Sequence, residues 1–392
     1  MRWPVDEQKL SRVRALMAEE ELDAIVVRAP DNIVYLTSYW CMKGYDLAIF
    51  PAVGDPILVV LEPQLDEAAQ SAWTSDLRPF DGYHPADPRP PWYRALEVCR
   101  QALTERDLTG RIGLELTQGT QAADRMVAEP TVFSQSWFDA FRSACREVVD
   151  CSGLLARARA IKTEQEIERM RLAAELAAAA MEQVRQAIRP GMRTSEIGAL
   201  YEGHVHSAGT GYKDKVQMAR AFTLVWSGPT IRTFTSTSDA PICEHEPTLL
   251  EIWVCADGYW SDLTKNACPG KLTAKYDQLT DGLLQVYGRA IDHLAPGASQ
   301  AELDRLVREG IAKLGYPGQP SHPIAHGVGA RAHEPPFPHQ ATGGELQEGM
   351  VLAIEPGIYW EAGGGLRVED NFLITATGYE KLGAYPDDFR TA

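Results

Sequence analysis

The stretch Leu249-Leu250-Glu251-Ile252-Trp253-Val254-Cys255-Ala256-Asp257-Gly258-Tyr259-Trp260-Ser261-Asp262-Leu263-Thr264 decides how the second half of this chain folds. Asp-Gly is a strong two-residue hairpin turn because both residues tolerate positive φ. Asp257-Gly258 therefore joins two strands, one ending near Cys255 and one running from Tyr259 to Thr264. The turn sets Asp262 opposite Trp253 and puts Glu251 on the face that Trp253 occupies, so Glu251 and Asp262 become diagonal neighbours on one side of a sheet. A carboxylate inside a strand this apolar is costly unless it is paired or bound to a cation.

The same geometry recurs downstream. Met350 to Trp360 and Gly365 to Ile374 flank Gly363-Gly364-Gly365, a second hairpin in which Glu355 and Glu369 face each other. Two carboxylates in contact repel unless a cation lies between them. Between the hairpins, Ala325-His326-Gly327-Val328-Gly329 adds one imidazole on a glycine-rich loop. Glu251, Asp262, Glu355, Glu369 and His326 together suit a pair of divalent cations, since oxygen ligands fit manganese, magnesium or calcium and one imidazole admits zinc, cobalt or iron. Singly, each acid reads more readily as a solvated surface residue, and His326 as a hydrogen-bonded loop histidine. The joint placement on two hairpins and one loop is what points to ligation.

Upstream, Ile161-Lys162-Thr163-Glu164-Gln165-Glu166 is the sharpest boundary in the chain. Thr163 and Glu166 form a capping box ahead of an alanine-rich helix running to about Ile188, and Pro190-Gly191 stops it. The segment Ile188-Arg189-Pro190-Gly191-Met192-Arg193-Thr194-Ser195-Glu196-Ile197 is echoed by Leu294-Ala295-Pro296-Gly297-Ala298-Ser299-Gln300-Ala301-Glu302-Leu303. A helix, a Pro-Gly turn and a second helix thus occur twice, each pair followed by strands. The domain junction falls near residues 151 to 160, which divides the chain into 1–155 and 156–392.

Helix and strand alternate before that junction. Leu10, Val13, Leu16 and Met17 recur at helical spacing, and Ala24-Ile25-Val26-Val27 is a β-branched run. Asp31-Asn32-Ile33-Val34-Tyr35-Leu36-Thr37, Leu47-Ala48-Ile49-Phe50 and Ile57-Leu58-Val59-Val60-Leu61 read as paired strands, the last two joined at Gly54-Asp55-Pro56. A helix over Trp92 to Leu103 and a short strand at Ile112 to Leu116 complete an α/β domain with a covered sheet. Tyr39-Trp40-Cys41-Met42-Lys43-Gly44-Tyr45-Asp46 gathers aromatics around Lys43 in a loop. A small polar ligand gripped by Tyr39 and Lys43 fits that composition, and so does a packed dimer contact.

Composition narrows the function. At 392 residues, 45% of them apolar, the chain is long enough for two cores. A formal net charge of −16, with no Lys/Arg run, excludes the basic face that nucleic acid or an anionic membrane requires. The N-terminus reaches charged residues at once, and nowhere is an apolar run long enough to span a bilayer, so a cytoplasmic location is expected. The seven cysteines are odd in number, scattered and never spaced Cys-x-x-Cys, which fits reduced thiols.

Several of these strings also carry a resemblance. Arg159-Ala160-Ile161-Lys162-Thr163-x-x-Glu166, Gly258-Tyr259-x-Ser261-Asp262-Leu263-Thr264, His326-Gly327-Val328-Gly329, His333-Glu334-Pro335-Pro336, Glu355-Pro356-Gly357-Ile358-Tyr359 and Gly365-Leu366-Arg367-Val368-Glu369-Asp370 resemble the pita-bread family of aminopeptidase P, prolidase, methionine aminopeptidase and creatinase. The likeness is specific from about residue 155 onward, and the first 150 residues are similar in outline to the creatinase-type N-terminal domain. It implies an α/β (α+β) chain: a creatinase-like N-terminal α/β domain, then a pita-bread catalytic domain with a curved antiparallel sheet and two pseudo-repeated helix pairs. It also implies a homodimer, with the N-terminal domain bordering the partner's active site.

The activity implied is metal-dependent hydrolysis of a C–N bond in a small substrate or dipeptide, of the Xaa-Pro dipeptidase or aminopeptidase P kind. Two divalent cations (manganese, cobalt, zinc or iron) would be held by Glu251, Asp262, His326, Glu355 and Glu369. Glu355 would carry a proton to the leaving nitrogen. His333 would orient the substrate or steady the oxyanion, and Arg367 would hold Glu369 or a substrate carboxylate in a forked pair. Two positions depart from the pattern. Glu251 stands where the family's metallopeptidases have Asp, and Ser227-Gly228-Pro229-Thr230-Ile231-Arg232-Thr233-Phe234-Thr235 lacks the histidine they carry after the Ser-Gly turn. Two alternatives therefore stay open: a metal-free hydrolase like creatinase or ectoine hydrolase, with Glu251 as base or nucleophile, and a non-catalytic pita-bread binding module.

Overall fold

A computed structural model describes residues 3–41, 44–116, 135–233, 235–341, 343–360 and 362–391. They fall into two compact units, Met1–Arg159 and Ala160–Ala392.

In the first unit, helix α1 (Glu7–Glu19) is capped by the Asp6 carboxylate, which accepts from the amide of Lys9, and leads into strand β1 (Ala24–Val27). Helix α2 (Pro30–Thr37), the hairpin β2 (Leu47–Pro51) and β3 (Ile57–Leu61), helix α3 (Leu65–Ser71) and strand β4 (Asp76–Phe80) follow. Helix α4 (Pro91–Glu105), strand β5 (Arg111–Leu114), helix α5 (Gln135–Arg142), strand β6 (Glu147–Asp150) and helix α6 (Ser152–Ala160) complete it. The strands make one six-stranded mixed sheet in the order β4-β3-β2-β1-β5-β6. Alternate residues supply its two faces: Ile25, Val27, Ala48, Phe50, Leu58 and Val60 enter one apolar cluster, and Ala24, Val26, Leu47, Ile49, Ile57 and Val59 the other. A sheet buried on both sides explains why these strands read as unbroken apolar runs.

One expectation fails here. Asp31 to Thr37 reads as a strand but forms α2, its residues from Asn32 to Thr37 all buried. Pro30 at the first helical position pre-sets φ for a helix, and the buried Glu115 carboxylate receives the amides of Arg28 and Ala29 at 2.7 and 3.2 Å. A carboxyl oxygen over the helix N-terminus satisfies donors a strand would have left open. Burial on every side gives the helix the same apolar run that a covered strand would show.

The second unit opens with helix α7 (Glu164–Ala187), whose capping box between Thr163 and Glu166 is made in both directions. Helix α8 (Thr194–Gly209), then strands β7 (Ala219–Ser227), β8 (Thr248–Ala256) and β9 (Tyr259–Ala267) follow, and helices α9 (Ala274–Asp292) and α10 (Gln300–Lys313) repeat the helical pair. The repeat extends to the main chain. Gly191 and Gly297 stop the first helix of each pair with φ of 83° and 82°, a region glycine enters without strain. Thr194 and Gln300 then donate their amides to Ala240 and Gly344, and the bridges Arg193↔Pro241 and Ser299↔Glu345 correspond.

The last strands are β10 (Ala325–Gly327), β11 (Val351–Ile354), β12 (Gly357–Tyr359), β13 (Gly365–Arg367), β14 (Asp370–Thr375) and β15 (Gly378–Leu382), all paired antiparallel. Main-chain bonds between Thr264 and Glu369 join β9 to this second set. The registers then run on. Leu224 faces Glu251, Glu251 faces Thr264, and Thr264 faces Glu369. Ile354↔Asp370 and Gly357↔Arg367 are in one register, which sets Glu355 across from Glu369. The neighbouring row holds Phe222, Trp253 and Asp262, and on the far side Asn371, Ala353 and His326. Two adjacent rows on one sheet face thus carry every ligand-capable residue named from the sequence. Among the described residues, no helix is long and apolar enough to cross a membrane.

Candidate metal centre

His326 is the pivot. Its Nδ1 lies 3.0 Å from the Gly327 carbonyl, and since a carbonyl only accepts, the ring proton is on Nδ1 and Nε2 presents a lone pair. Nε2 is buried and, among the described residues, has no hydrogen-bond partner. It faces Glu355 Oε1 at 3.5 Å, Asp262 Oδ2 at 3.6 Å and Glu369 Oε1 at 3.9 Å. A lone pair aimed at three carboxylate oxygens is repulsive unless a cation or proton sits among them. Burial also lowers the His326 pKa to about 4, so the ring is neutral at neutral pH and is not that cation. These residues fit a divalent ion.

The carboxyls agree. Burial drives Asp262 and Glu355 well above the ordinary carboxylate range, and Glu369 raises both further. Glu369 is raised by burial too, moderated by Arg367 and by the Thr264 hydroxyl. Acids pressed together in a dry site hold protons that a bound cation displaces.

Arg367 fills the other side of the cluster. Its Nη2 is 2.8 Å from Glu251 Oε2, its Nη1 3.7 Å from Glu355 Oε2 and its Nε 3.7 Å from Glu369 Oε2. The forked partner expected from the sequence was Glu369 or a substrate, whereas the short contact goes to Glu251, and Glu369 is reached through a hydroxyl. Nε donates to Thr264 Oγ1 at 2.6 Å, and Thr264 donates onward to Glu369 Oε2 at 2.6 Å. Burial opposes the charge on Arg367, but Glu251, Tyr359, Glu369 and Glu355 outweigh it and hold the guanidinium charged. Among the described residues, the groups able to share one ion are Asp262, His326 and His333, and His326, Glu355 and Glu369; neither includes Glu251.

His333 arrives on the loop after β10. Its Nε2 is 3.6 Å from Asp262 Oδ2 and its ring centre 4.2 Å from that of His326. That loop folds back because Gly327 donates to Pro336 at 2.7 Å and accepts from the Glu334 amide at 2.9 Å. A Cβ at Gly327 would stand 2.5 Å from the Pro335 carbonyl oxygen, so only glycine allows the fold-back. Lys162 Nζ grips Glu334 Oε1 at 2.9 Å beneath it, with both side chains buried.

Sequence reasoning missed several residues here. Trp253 Nε1 donates to Asp262 Oδ2 at 2.8 Å, and its ring stacks on Phe222 at 5.4 Å. His322 lies with Nδ1 3.3 Å from Glu355 Oε2 and Nε2 3.1 Å from the Tyr359 hydroxyl. Behind Glu369, Asp370 takes Lys265 Nζ at 2.7 Å on both oxygens and the Tyr287 hydroxyl at 2.7 Å. His322 is flanked by Ser321 and Pro323, with no periodic or motif signal to mark it. Of the two N-terminal residues, Tyr39 is buried in the first unit with its hydroxyl on Gln64 at 2.8 Å, and Lys43 lies outside the described residues. Phe234, where the expected histidine is missing, is also outside them.

The chain is similar to known peptidases. Residues 168–376 match metallopeptidase family M24, and residues 9–161 match the creatinase/prolidase N-terminal domain. The Xaa-Pro dipeptidase of Pyrococcus furiosus is 32% identical over 245 residues, covering 62% of this chain and 68% of that protein. The Xaa-Pro dipeptidase of Pyrococcus horikoshii is 25% identical over 379 residues, covering 96% of each. In fold, the crystal structure of the prolidase from Pyrococcus horikoshii OT3 superposes with a TM-score of 0.79 at 22% identity, over 98% of this chain and 100% of that one.

Proposed function

The chain belongs to metallopeptidase family M24, a metal-dependent hydrolase of peptide bonds, and from that premise we propose that it is a dipeptidase of the Xaa-Pro type. The observation that carries the metal dependence is the buried, unpartnered Nε2 of His326 among three carboxylate oxygens. Asp262, His326, Glu355 and Glu369 hold the ion in this reading, and three oxygens with one imidazole suit manganese, cobalt, zinc or iron. The substrate class comes from the relatives named Xaa-Pro dipeptidase.

A bound divalent cation supplies Lewis acidity toward the scissile carbonyl and makes a nearby water more acidic. Glu355 takes a proton from the attacking water and delivers it to the departing amide nitrogen. Burial holds His333 neutral, its pKa lowered to about 2, so it serves as an uncharged ring N–H donor to the oxyanion. Arg367 keeps its charge against the carboxylates and, through Thr264, fixes the orientation of Glu369. The protein works as a homodimer in the cytoplasm in this reading, and light scattering of the purified chain tests the first point.

The deciding experiment is hydrolysis of a panel of Xaa-Pro and other dipeptides before and after chelation. Turnover of an Xaa-Pro dipeptide that stops with the chelator, returns with manganese and drops at least about 100-fold in Glu355→Gln is the expected result. Full activity after complete metal removal would sink the assignment in favour of the metal-free, creatinase-like alternative.

A further inference from the structure

We propose that this chain binds one divalent cation rather than two, and that the corner a second ion would need is closed by the Glu251–Arg367 pair together with Thr264. The proposal rests on the metal-dependent reading above and narrows its metal content.

Three observations converge. First, the two groups able to share an ion have His326 in common, and His326 presents only Nε2, so both describe one position. Second, Glu251 is one methylene longer than aspartate, and its Oε2 lies 2.8 Å from Arg367 Nη2 in an ion pair. The guanidinium it holds also faces Glu355 Oε2 and Glu369 Oε2, each at 3.7 Å, and so stands among the carboxylates that would otherwise receive the second ion. A fixed cation in a buried site repels another cation brought beside it. Third, the oxygens on that side already have donors. Thr264 donates to Glu369 Oε2 at 2.6 Å, and Arg367 Nη2 lies 2.8 Å from Glu251 Oε2. The oxygens turned toward His326 are Glu355 Oε1, Asp262 Oδ2 and Glu369 Oε1. Arg367 therefore supplies as fixed protein charge what a second metal would supply as bound charge.

The test is metal content, independent of turnover. Protein stripped with chelator is titrated with manganese by calorimetry, and the reloaded, desalted protein is assayed for metal per chain by mass spectrometry. One ion per wild-type chain is expected. Glu251→Gln should also bind one ion, weakened by less than about tenfold, the low end of what loss of a group behind the ligands costs. Arg367→Met, which empties the corner and frees the Glu251 carboxylate, should raise the count to two. Two ions per wild-type chain, or loss of the ion in Glu251→Gln, would overturn the one-ion proposal and leave metal dependence intact. No ion on a wild-type protein that still cleaves dipeptides would overturn the metal-dependent reading itself, so the two failures are distinguishable.

Discussion

Nε1 of Trp253 lies 2.8 Å from Oδ2 of Asp262, directly across the β8–β9 ladder. The same oxygen is 3.6 Å from both His326 Nε2 and His333 Nε2, so the indole sets the rotamer of an acid on which two imidazoles converge. Trp253→Phe keeps the stack on Phe222 and removes only the donor. Ion affinity should weaken roughly 10- to 100-fold with the fold unchanged. Calorimetric titration with manganese checks it, and an unchanged affinity would show that Asp262 is oriented by other groups.

Thr264 stands between a cation and an acid, accepting from Arg367 Nε and donating to Glu369 Oε2. Thr264→Val conserves shape and strands both neighbours, a loss of about 1–3 kcal/mol for each buried group left unmatched. The expected outcome is a lower urea midpoint together with a fall in kcat at nearly constant KM. A variant as stable and as fast as wild type would remove Thr264 from the chain of contacts.

The Lys162–Glu334 pair is a third test, on stability. Both side chains are essentially inaccessible, at 1% and 3%, and breaking one half of such a pair costs about 3–5 kcal/mol because it leaves a buried charge alone. Lys162→Met should destabilise by that amount and loosen the loop that carries His333. The double variant Lys162→Met with Glu334→Leu should recover most of the loss, as read by denaturant unfolding.

Glu115 gives a pH dependence. Burial outweighs the hydrogen bonds from Arg28 and Asn32 and raises its pKa from 4.5 to about 7. Between those values the folded state binds more protons than the unfolded one, so stability is full below pH 4.5 and is lost as pH rises to 7. Its contribution falls by about 3 kcal/mol over that window. Asp46, raised from 3.8 to about 7 chiefly by burial, adds to the same slope. Urea midpoints measured from pH 5 to 8 should decline, and Glu115→Gln should flatten part of the decline. Equal slopes for the two proteins would mean that Glu115 does not titrate in this range.

Much of this was legible before any coordinate. Asp257-Gly258 admits one register, and from that register alone Asp262 falls opposite Trp253, as observed. The glycine-rich turn likewise set Glu355 against Glu369, and the Pro-Gly echo marked two helix pairs whose main-chain bonds prove equivalent. What stayed hidden depends on contacts between distant segments. The Asp31–Thr37 run carries the same apolar pattern as a covered strand, and only Pro30 and the distant Glu115 tip it to helix. His322 gains its place from Tyr359 and Glu355, which lie far along the chain. The choice of Arg367 for Glu251 depends on side-chain reach, which no spacing rule records.

The bridge between Thr264 and Glu369 bears on how this centre can vary. Each of the two residues donates its amide to the other's carbonyl, at 3.4 and 3.2 Å. The separation of Thr264 from Glu369 is therefore that of a hydrogen-bonded antiparallel pair, about 5.5 Å between Cα atoms, and is set by main-chain hydrogen bonds instead of loop conformation. Loops around the rim can lengthen, shorten or change composition without disturbing that span. Variation in what the enzyme accepts should accordingly be concentrated in its loops, while the spacing of the acids behaves as a constant of the sheet.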